Sequence, residues 1–479
     1  MKKQSIMFQG TGSGVGKSIV TAGFCRLFAD MGIKVAPFKS QNMALNSGVV
    51  NGHLEMGRAQ ILQSEAARVT PDVRMNPILL KPQGNSSSQL VRMGRVAGVY
   101  SAREYYTLSK ENFEIVKEAY SSLCSDYDLI VIEGAGSPAE INLQSTDIVN
   151  MKMAQYAESD VYIIGDIDRG GVFAWMKGTY DLLPNNTKEL VKGFIINKFR
   201  GDVTLLQPGI DMFKEYVPAP VCGVLPFMYN TLEEEDSQDI LSDRVDESKP
   251  TIGVIRLPKI SNFSDFAPLK ANDNINLVYI EKPEQIAGCD VLIIPGSKST
   301  ISDMKFLRDK GFEAEITKFS NLVVAICGGF QMLGREIFDP QHFEGNISEV
   351  DGLGLINMRT VITAEKHLER VIYNGSGALD GTKIAGYEMH MGETEMRSKL
   401  TQLADGEDVV VYSTEKNVIG TYLHGIFENG EVVNKILKLA GLTVQAEDYA
   451  DEKETQLNKL ADMIKENCDV NNILKGVGL

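Results

Sequence analysis

Cys327 ends an apolar, β-branched run, Leu322-Val323-Val324-Ala325-Ile326, and is followed by Gly328 and Gly329. A buried strand that breaks at a cysteine and two glycines, then turns helical from Phe330, lifts the thiol out of the sheet. It also points the positive end of a helix at the sulfur, which favours thiolate. Small residues there let a substrate and backbone donors come close. The plain alternative is a core cysteine at a strand end. A cysteine nucleophile needs a base that is near in space rather than in sequence. The candidates are His53, His342, His367, His390 and His424. His424, in Gly420-Thr421-Tyr422-Leu423-His424-Gly425, also leaves a β-like run (417–423) into glycine and is the expected base. His390, in Gly386-Tyr387-Glu388-Met389-His390-Met391-Gly392, is the second candidate.

A second chemistry sits at the other end of the chain. A short strand (4–10) runs into Thr11-Gly12-Ser13-Gly14-Val15-Gly16-Lys17-Ser18 and then into an apolar helix (19–28). Such a loop turns backbone N–H groups inward around phosphate oxygens, here from Gly10, Thr11, Gly12, Gly14, Val15 and Gly16. Lys17 supplies charge to the β- and γ-phosphates of ATP and Ser18 a hydroxyl to Mg²⁺. The strict spacing places glycine where Thr11 stands, with Gly10 just before it.

Three further strands end in polar tips. The run 128–132 ends at Glu133, placed to hold Mg²⁺ or its water. The run 161–165 ends at Asp166 and the run 193–196 at Asn197-Lys198. Ligands gather at the carboxyl ends of parallel strands, so these tips are expected in one crevice, with Asn197 on the nucleotide. Taken singly, each acid could be a helix cap or a solvated loop residue.

These elements set the architecture. Strands alternate with helical patterns through both halves, so each half reads as α/β with a mainly parallel sheet. The length of 479 residues suits roughly two to four domains. The expected divisions are 1–230, an acid-rich linker at 231–250, 251–440, and a helical tail at 441–479 with no assigned chemistry. Within the linker, residues 232–237 have a minority reading as part of a site.

The net charge of −16 argues against sequence-independent nucleic-acid binding and against an anionic membrane surface. No apolar run reaches membrane-spanning length, and six cysteines without metal-type spacing fit a reducing cytoplasm. Oligomeric state has no signal in the sequence. One stretch departs from the acidic balance: residues 58–103 hold seven basic side chains against Glu65 and Asp72. The two readings are a solvated helix face and, with Lys39, a pocket for a polyanionic substrate beside the ATP phosphates.

Cys327, Gly329 and Gln331 form a Cys-x-Gly-x-Gln pattern that resembles triad-type glutamine amidotransferases. The loop Ile293-Ile294-Pro295-Gly296-Ser297-Lys298-Ser299-Thr300 is similar to that family's strand-end loop. The resemblance implies an oxyanion hole from Gly296, Ser297 and the amide of Gly328, with Gln331 in the glutamine site. The family's glutamate two residues after the histidine is replaced by Ile426, and Glu428 is badly spaced to substitute. The sequence therefore presents a Cys-His dyad whose histidine has no evident orienting group. The phosphate loop, one residue longer than the strict form, is similar to the dethiobiotin synthetase-like branch of P-loop ATPases.

The order of the two halves resembles the cobyrinate amidotransferase family. The likeness rests on residues 37–43, 76–82, 133–143, 166–171 and 197–202. Within the family it favours enzymes that act on adenosylcobyrinic acid a,c-diamide over the sister group that amidates cobyrinic acid. It implies ATP-dependent amidation of the b, d, e and g carboxylates with glutamine as nitrogen donor. The substrate would be a corrinoid whose cobalt is its own. Lys39, Gln41, Asn42, Lys81 and Asp166 are the candidates for handling the substrate carboxylate. The alternative of another class is a P-loop regulatory ATPase with a scaffolding second half, against which an intact Cys327 and His424 argue.

Overall fold

A computed structural model describes residues 4–83, 87–229, 232 and 245–479. Most of the acid-rich linker, including the minority site reading at 232–237 apart from Leu232, lies outside the described residues; Leu232 itself is buried in the first half.

The first half is built on a six-stranded sheet in the order Val221–Pro226, Val191–Phe199, Asp160–Asp166, Ser5–Gly10, Leu129–Glu133 and Val35–Phe38. Every pairing is parallel. The central strands are buried along their whole length and mostly apolar, the pattern expected of a parallel sheet covered on both faces, with polar residues at their ends. Ser5–Gly10 lies between Asp160–Asp166 and Leu129–Glu133, so the phosphate loop opens at the strand tips carrying Glu133 and Asp166. A smaller four-stranded sheet (Gln41–Met43, Ile78–Gln83, Ser87–Arg92, Arg95–Ser101) and a hairpin (Ser47–Val50 with Leu54–Gly57) extend this half toward the second.

The second half has a seven-stranded sheet in which Asn276–Ile280, Thr251–Ile255, Val291–Ile294, Leu322–Ile326 and Val418–Thr421 run parallel. Antiparallel edge strands, Val410–Ser413 and Thr401–Gln402, complete it. A long antiparallel ribbon, Met358–Asn374 with Lys383–Met396, lies alongside and pairs through Tyr387 and Glu388 with Leu423–His424. Its Leu368, Tyr387 and Met389 pack on Val49 of the first half, so the ribbon bridges the halves.

The tail is more than an appendage of the second half. Helices Tyr449–Asn467 and Val470–Gly476 return to the first half and complete its core. Leu457, Leu460, Ile464 and Ile473 join Phe8, Phe24 and Phe28 in one buried cluster. A Cβ on Gly23 would stand 2.4 Å from Ile464 Cδ1 and 2.7 Å from Leu460 Cγ, so the helix Lys17–Asp30 accepts its partner only through a side-chain-free position. Arg26, wholly buried, donates to both oxygens of Glu454 at 3.0 and 2.6 Å. None of the described helices is long and apolar enough to cross a membrane.

Candidate active site

Cys327 links the strand Leu322–Ile326 to the helix Gly328–Met332. Its backbone is at φ 54°, ψ −111°, a region that costs a non-glycine residue strain. The surrounding sheet and helix hold that conformation and turn the thiol into a pocket. There Cys327 Sγ lies 3.3 Å from Met389 O of the ribbon. A Cβ on Gly328 would stand 2.9 Å from Ser297 N, so the two residues expected to supply the oxyanion hole are close neighbours. Gln331 is held from two sides, accepting from Thr300 Oγ1 at 3.1 Å and donating to Met391 O at 2.9 Å. Gly296 packs against the imidazole: a Cβ added to it would stand 3.4 Å from His424 Cε1.

His424 and Cys327 line the same pocket. The group that orients His424, which no spacing in the sequence pointed to, is Asp265. Its Oδ2 is 2.7 Å from His424 Nδ1, and its Oδ1 accepts from Gly425 N at 3.0 Å. Both side chains are buried. Burial works against a charged ring, but the Asp265 carboxylate and the Cys327 thiol outweigh it and raise His424 to about 10. Asp265 sits on the one-turn helix Phe263–Phe266, shortly beyond the carboxyl end of the strand Thr251–Ile255. That position at a parallel strand end was the available signal. Glu428, the spacing-based candidate, pairs with Arg58 of the first half at 3.2 Å. His390 also lines the pocket, and burial together with His367 and His424 lowers it to about 4.

The pocket carries opposite charges. Burial, opposed by backbone donors and Lys298, raises Glu344 to about 7. Burial, with Lys81 and Lys366 nearby, lowers Lys298 to about 7. The first half contributes part of the wall: Lys81 and Gln83 line the pocket, and Lys298 Nζ donates to Gln89 Oε1 at 3.3 Å. Lys81 Nζ lies 2.6 Å from Glu55 Oε1, and Lys366 of the ribbon binds the other Glu55 oxygen.

At the opposite site, Gly16 has φ 94°, and a Cβ there would stand 2.3 Å from Asn197 Nδ2. The loop therefore closes on Asn197, which donates to Val15 O at 2.9 Å. Gly10, Thr11, Gly12, Gly14 and Lys17 follow one another round this loop, and Lys17 Nζ reaches Gly12 O at 2.7 Å. Glu133, fully buried, collects Ser18 Oγ (2.8 Å), Lys39 Nζ (2.9 Å), Gln63 Nε2 (2.6 Å) and Gln60 Nε2 (3.3 Å). Asn42 Nδ2 donates to Gln60 Oε1 at 3.0 Å, one step behind Glu133.

The other substrate candidates scatter. Gln41 accepts from Tyr105 Oη. Asp166 Oδ2 accepts from Lys198 Nζ at 3.0 Å, and Lys198 also reaches Gly14 O at 2.7 Å, so Asp166 steadies the phosphate loop. Lys81 belongs to the Cys327 pocket. The reading of 58–103 as a basic pocket beside ATP is corrected: its cations are largely spent on carboxylates. Arg58 pairs with Glu428, Arg68 with Asp30, Arg74 with Asp72 and Asp126, and Arg92 with Glu111. A groove elsewhere opens beside Thr11, lined by Ser137, Glu140, Trp175 and Leu182. Trp175 and Leu182 are exposed there.

Residues 6–240 match the family model of the CobQ/CobB/MinD/ParA nucleotide binding domain, and residues 251–432 that of the CobB/CobQ-like glutamine amidotransferase domain. Cobyric acid synthase of Caldanaerobacter subterraneus subsp. tengcongensis is 43% identical over 98% of this chain and 97% of its own. Cobyric acid synthase of Alkaliphilus metalliredigens is 44% identical over 98% of this chain and 99% of its own. That of Clostridium acetobutylicum is 42% identical over 99% of each.

Proposed function

The chain belongs to the cobyric acid synthase family, and from that premise we propose how its two sites share one reaction. The reaction is the ATP- and glutamine-dependent amidation of the b, d, e and g carboxylates of adenosylcobyrinic acid a,c-diamide, a step of cobalamin assembly. The observation that carries the division of labour is the coexistence, in one chain, of the Cys327–His424–Asp265 constellation and the Lys17–Ser18–Glu133 phosphate site.

In the second half, the Cys327 thiolate attacks the side-chain amide of glutamine while the amides of Ser297 and Gly328 take the oxyanion. The His424 imidazolium, held by Asp265, gives its proton to the leaving nitrogen, and ammonia departs. Neutral His424 then takes a proton from water, which attacks the thioester and releases glutamate, restoring the thiolate–imidazolium pair. Glu344 and Lys298 present opposite charges in the pocket, which suits the ammonium and carboxylate of a free amino acid.

In the first half, a substrate carboxylate takes the γ-phosphoryl of ATP, and ammonia displaces phosphate from the acyl phosphate. Carboxylate alone does not react, because its leaving group is too poor. Lys17 steadies the transferring phosphoryl. Ser18 Oγ and Glu133 Oε1, hard oxygen donors 2.8 Å apart, fit Mg²⁺, which when bound offsets the phosphate charge. The groove beside Thr11 offers an apolar surface at Trp175 and Leu182 for the macrocycle.

Replacing Cys327 with Ala tests the scheme, read by mass spectrometry of the corrinoid. Synthesis from glutamine should vanish while synthesis from added ammonia survives. Retained glutamine use would remove Cys327 from the mechanism. Lys17→Ala should abolish synthesis from either nitrogen source, and normal turnover in that variant would refute the phosphate-loop role.

A further inference from the structure

The long ribbon carries a cluster that amidation does not use. In its antiparallel register His367 stands opposite His390, and Glu369 opposite Glu388. Side chains alternate along a strand, so these four share one face, while Leu368, Tyr387 and Met389 of the other face pack on Val49. One nitrogen from each histidine and one Glu388 oxygen lie within 4.8 Å of one another. His367 Nε2 is 3.2 Å from Glu388 Oε2 and 3.8 Å from Glu369 Oε2.

The members are held in place from outside. Tyr373 Oη donates to Glu388 Oε1 at 2.8 Å, leaving Oε2 toward His367. The His390 ring stacks on Tyr422 with centroids 3.9 Å apart. Contacts of this kind orient metal ligands. His390 Nδ1 is buried and has no hydrogen-bond partner among the described residues, a condition native proteins rarely leave unanswered.

We propose that His367, Glu388 and His390 form a binding site for a divalent transition-metal ion, zinc foremost, with Glu369 within reach as a fourth ligand. Two imidazoles and a carboxylate make a zinc donor set rather than one for magnesium or calcium. Zinc holds such atoms at about 2.0–2.2 Å, so closing the present spread needs side-chain adjustments of about 1 Å. The site also touches the glutamine pocket. The strand carrying Glu388 and His390 presents Met389 O to Cys327 and Met391 O to Gln331. An ion tying His390 to His367 would stiffen that wall and slow glutamine use; this consequence rests on the proposed glutaminase role, whereas the binding does not.

The test is a titration of the metal-stripped full chain with Co²⁺, followed by visible d–d absorption, with Zn²⁺ as competitor. One equivalent should bind and be displaced by Zn²⁺. Cys327→Ala should bind equally well, which keeps this site distinct from the catalytic thiol. His367→Asn, at a half-exposed position, and Glu388→Gln should each weaken binding about ten-fold or more. No cobalt band at millimolar metal would overturn the proposal. So would binding that survives both ligand changes, or binding that disappears in Cys327→Ala.

Discussion

The carboxylate of Asp265 lies 2.7 Å from Nδ1 of His424, although 159 residues separate them. The contact fixes which ring nitrogen faces Cys327, and it supplies the negative charge that keeps the ring protonated. With His424 raised to about 10, its ionic contribution to stability is complete below the ordinary histidine value near 6.5 and is lost as pH rises through about 10. Asp265→Asn should cut glutamine-dependent turnover by roughly 10²–10⁴-fold. It should leave ammonia-dependent synthesis intact and move the alkaline limb of the glutaminase pH profile downward. A profile that keeps its alkaline limb would show that another group charges His424.

Glu133 should show the opposite selectivity. Glu133→Gln removes the charge that Lys39 and Ser18 share. Synthesis from glutamine and from ammonia should both fall, by about two orders of magnitude or more, while free glutaminase activity persists. Loss of glutaminase alone would place Glu133 outside the phosphate site.

Glu344→Gln tests the amino-acid headgroup. The KM for glutamine should rise about 10–100-fold, as expected for one charged contact of roughly 1.5–3 kcal/mol. The KM for ammonia should not change. An unchanged glutamine KM would assign Glu344 to holding Thr300 and Ile301, its present partners.

Trp175→Ala should raise the KM for the corrinoid several-fold without changing glutaminase activity, measured by initial rates over a range of acceptor concentration. Trp175 is largely exposed in the groove beside Thr11, so its loss should not unfold the chain.

Leu460→Ala should destabilise the phosphate-loop half by about 2–5 kcal/mol, because it empties a fully buried site against Gly23. Denaturant melts followed by ATP binding would reveal it. A loss confined to the second half would contradict the packing.

What the sequence revealed follows from locality. The phosphate loop, the bend at Cys327 and the polar strand tips are each written within a few consecutive residues, and a short run of glycines around one reactive side chain suffices to signal them. Asp265 was missed because no spacing links it to His424; only the sheet, by bringing two strand ends together, makes them neighbours. The basic stretch misled for a similar reason. Arg58, Arg68 and Arg92 read as excess charge along the chain, but their counter-charges, Glu428, Asp30 and Glu111, come from elsewhere in the fold. The tail was legible as an amphipathic helix, yet which surface its apolar face would cover was not.

That tail gives the protein an order of maturation. Helix Tyr449–Asn467 is synthesised after the whole amidotransferase half, yet Leu457, Leu460 and Ile464 fill the core beneath the helix that begins at Lys17. Domains generally fold as they emerge from the ribosome, first part first. Here the core of the first part is complete only once the tail that follows the second has been translated. A chain cut short before Tyr449 would leave Phe24 and Phe28 without part of their apolar cover.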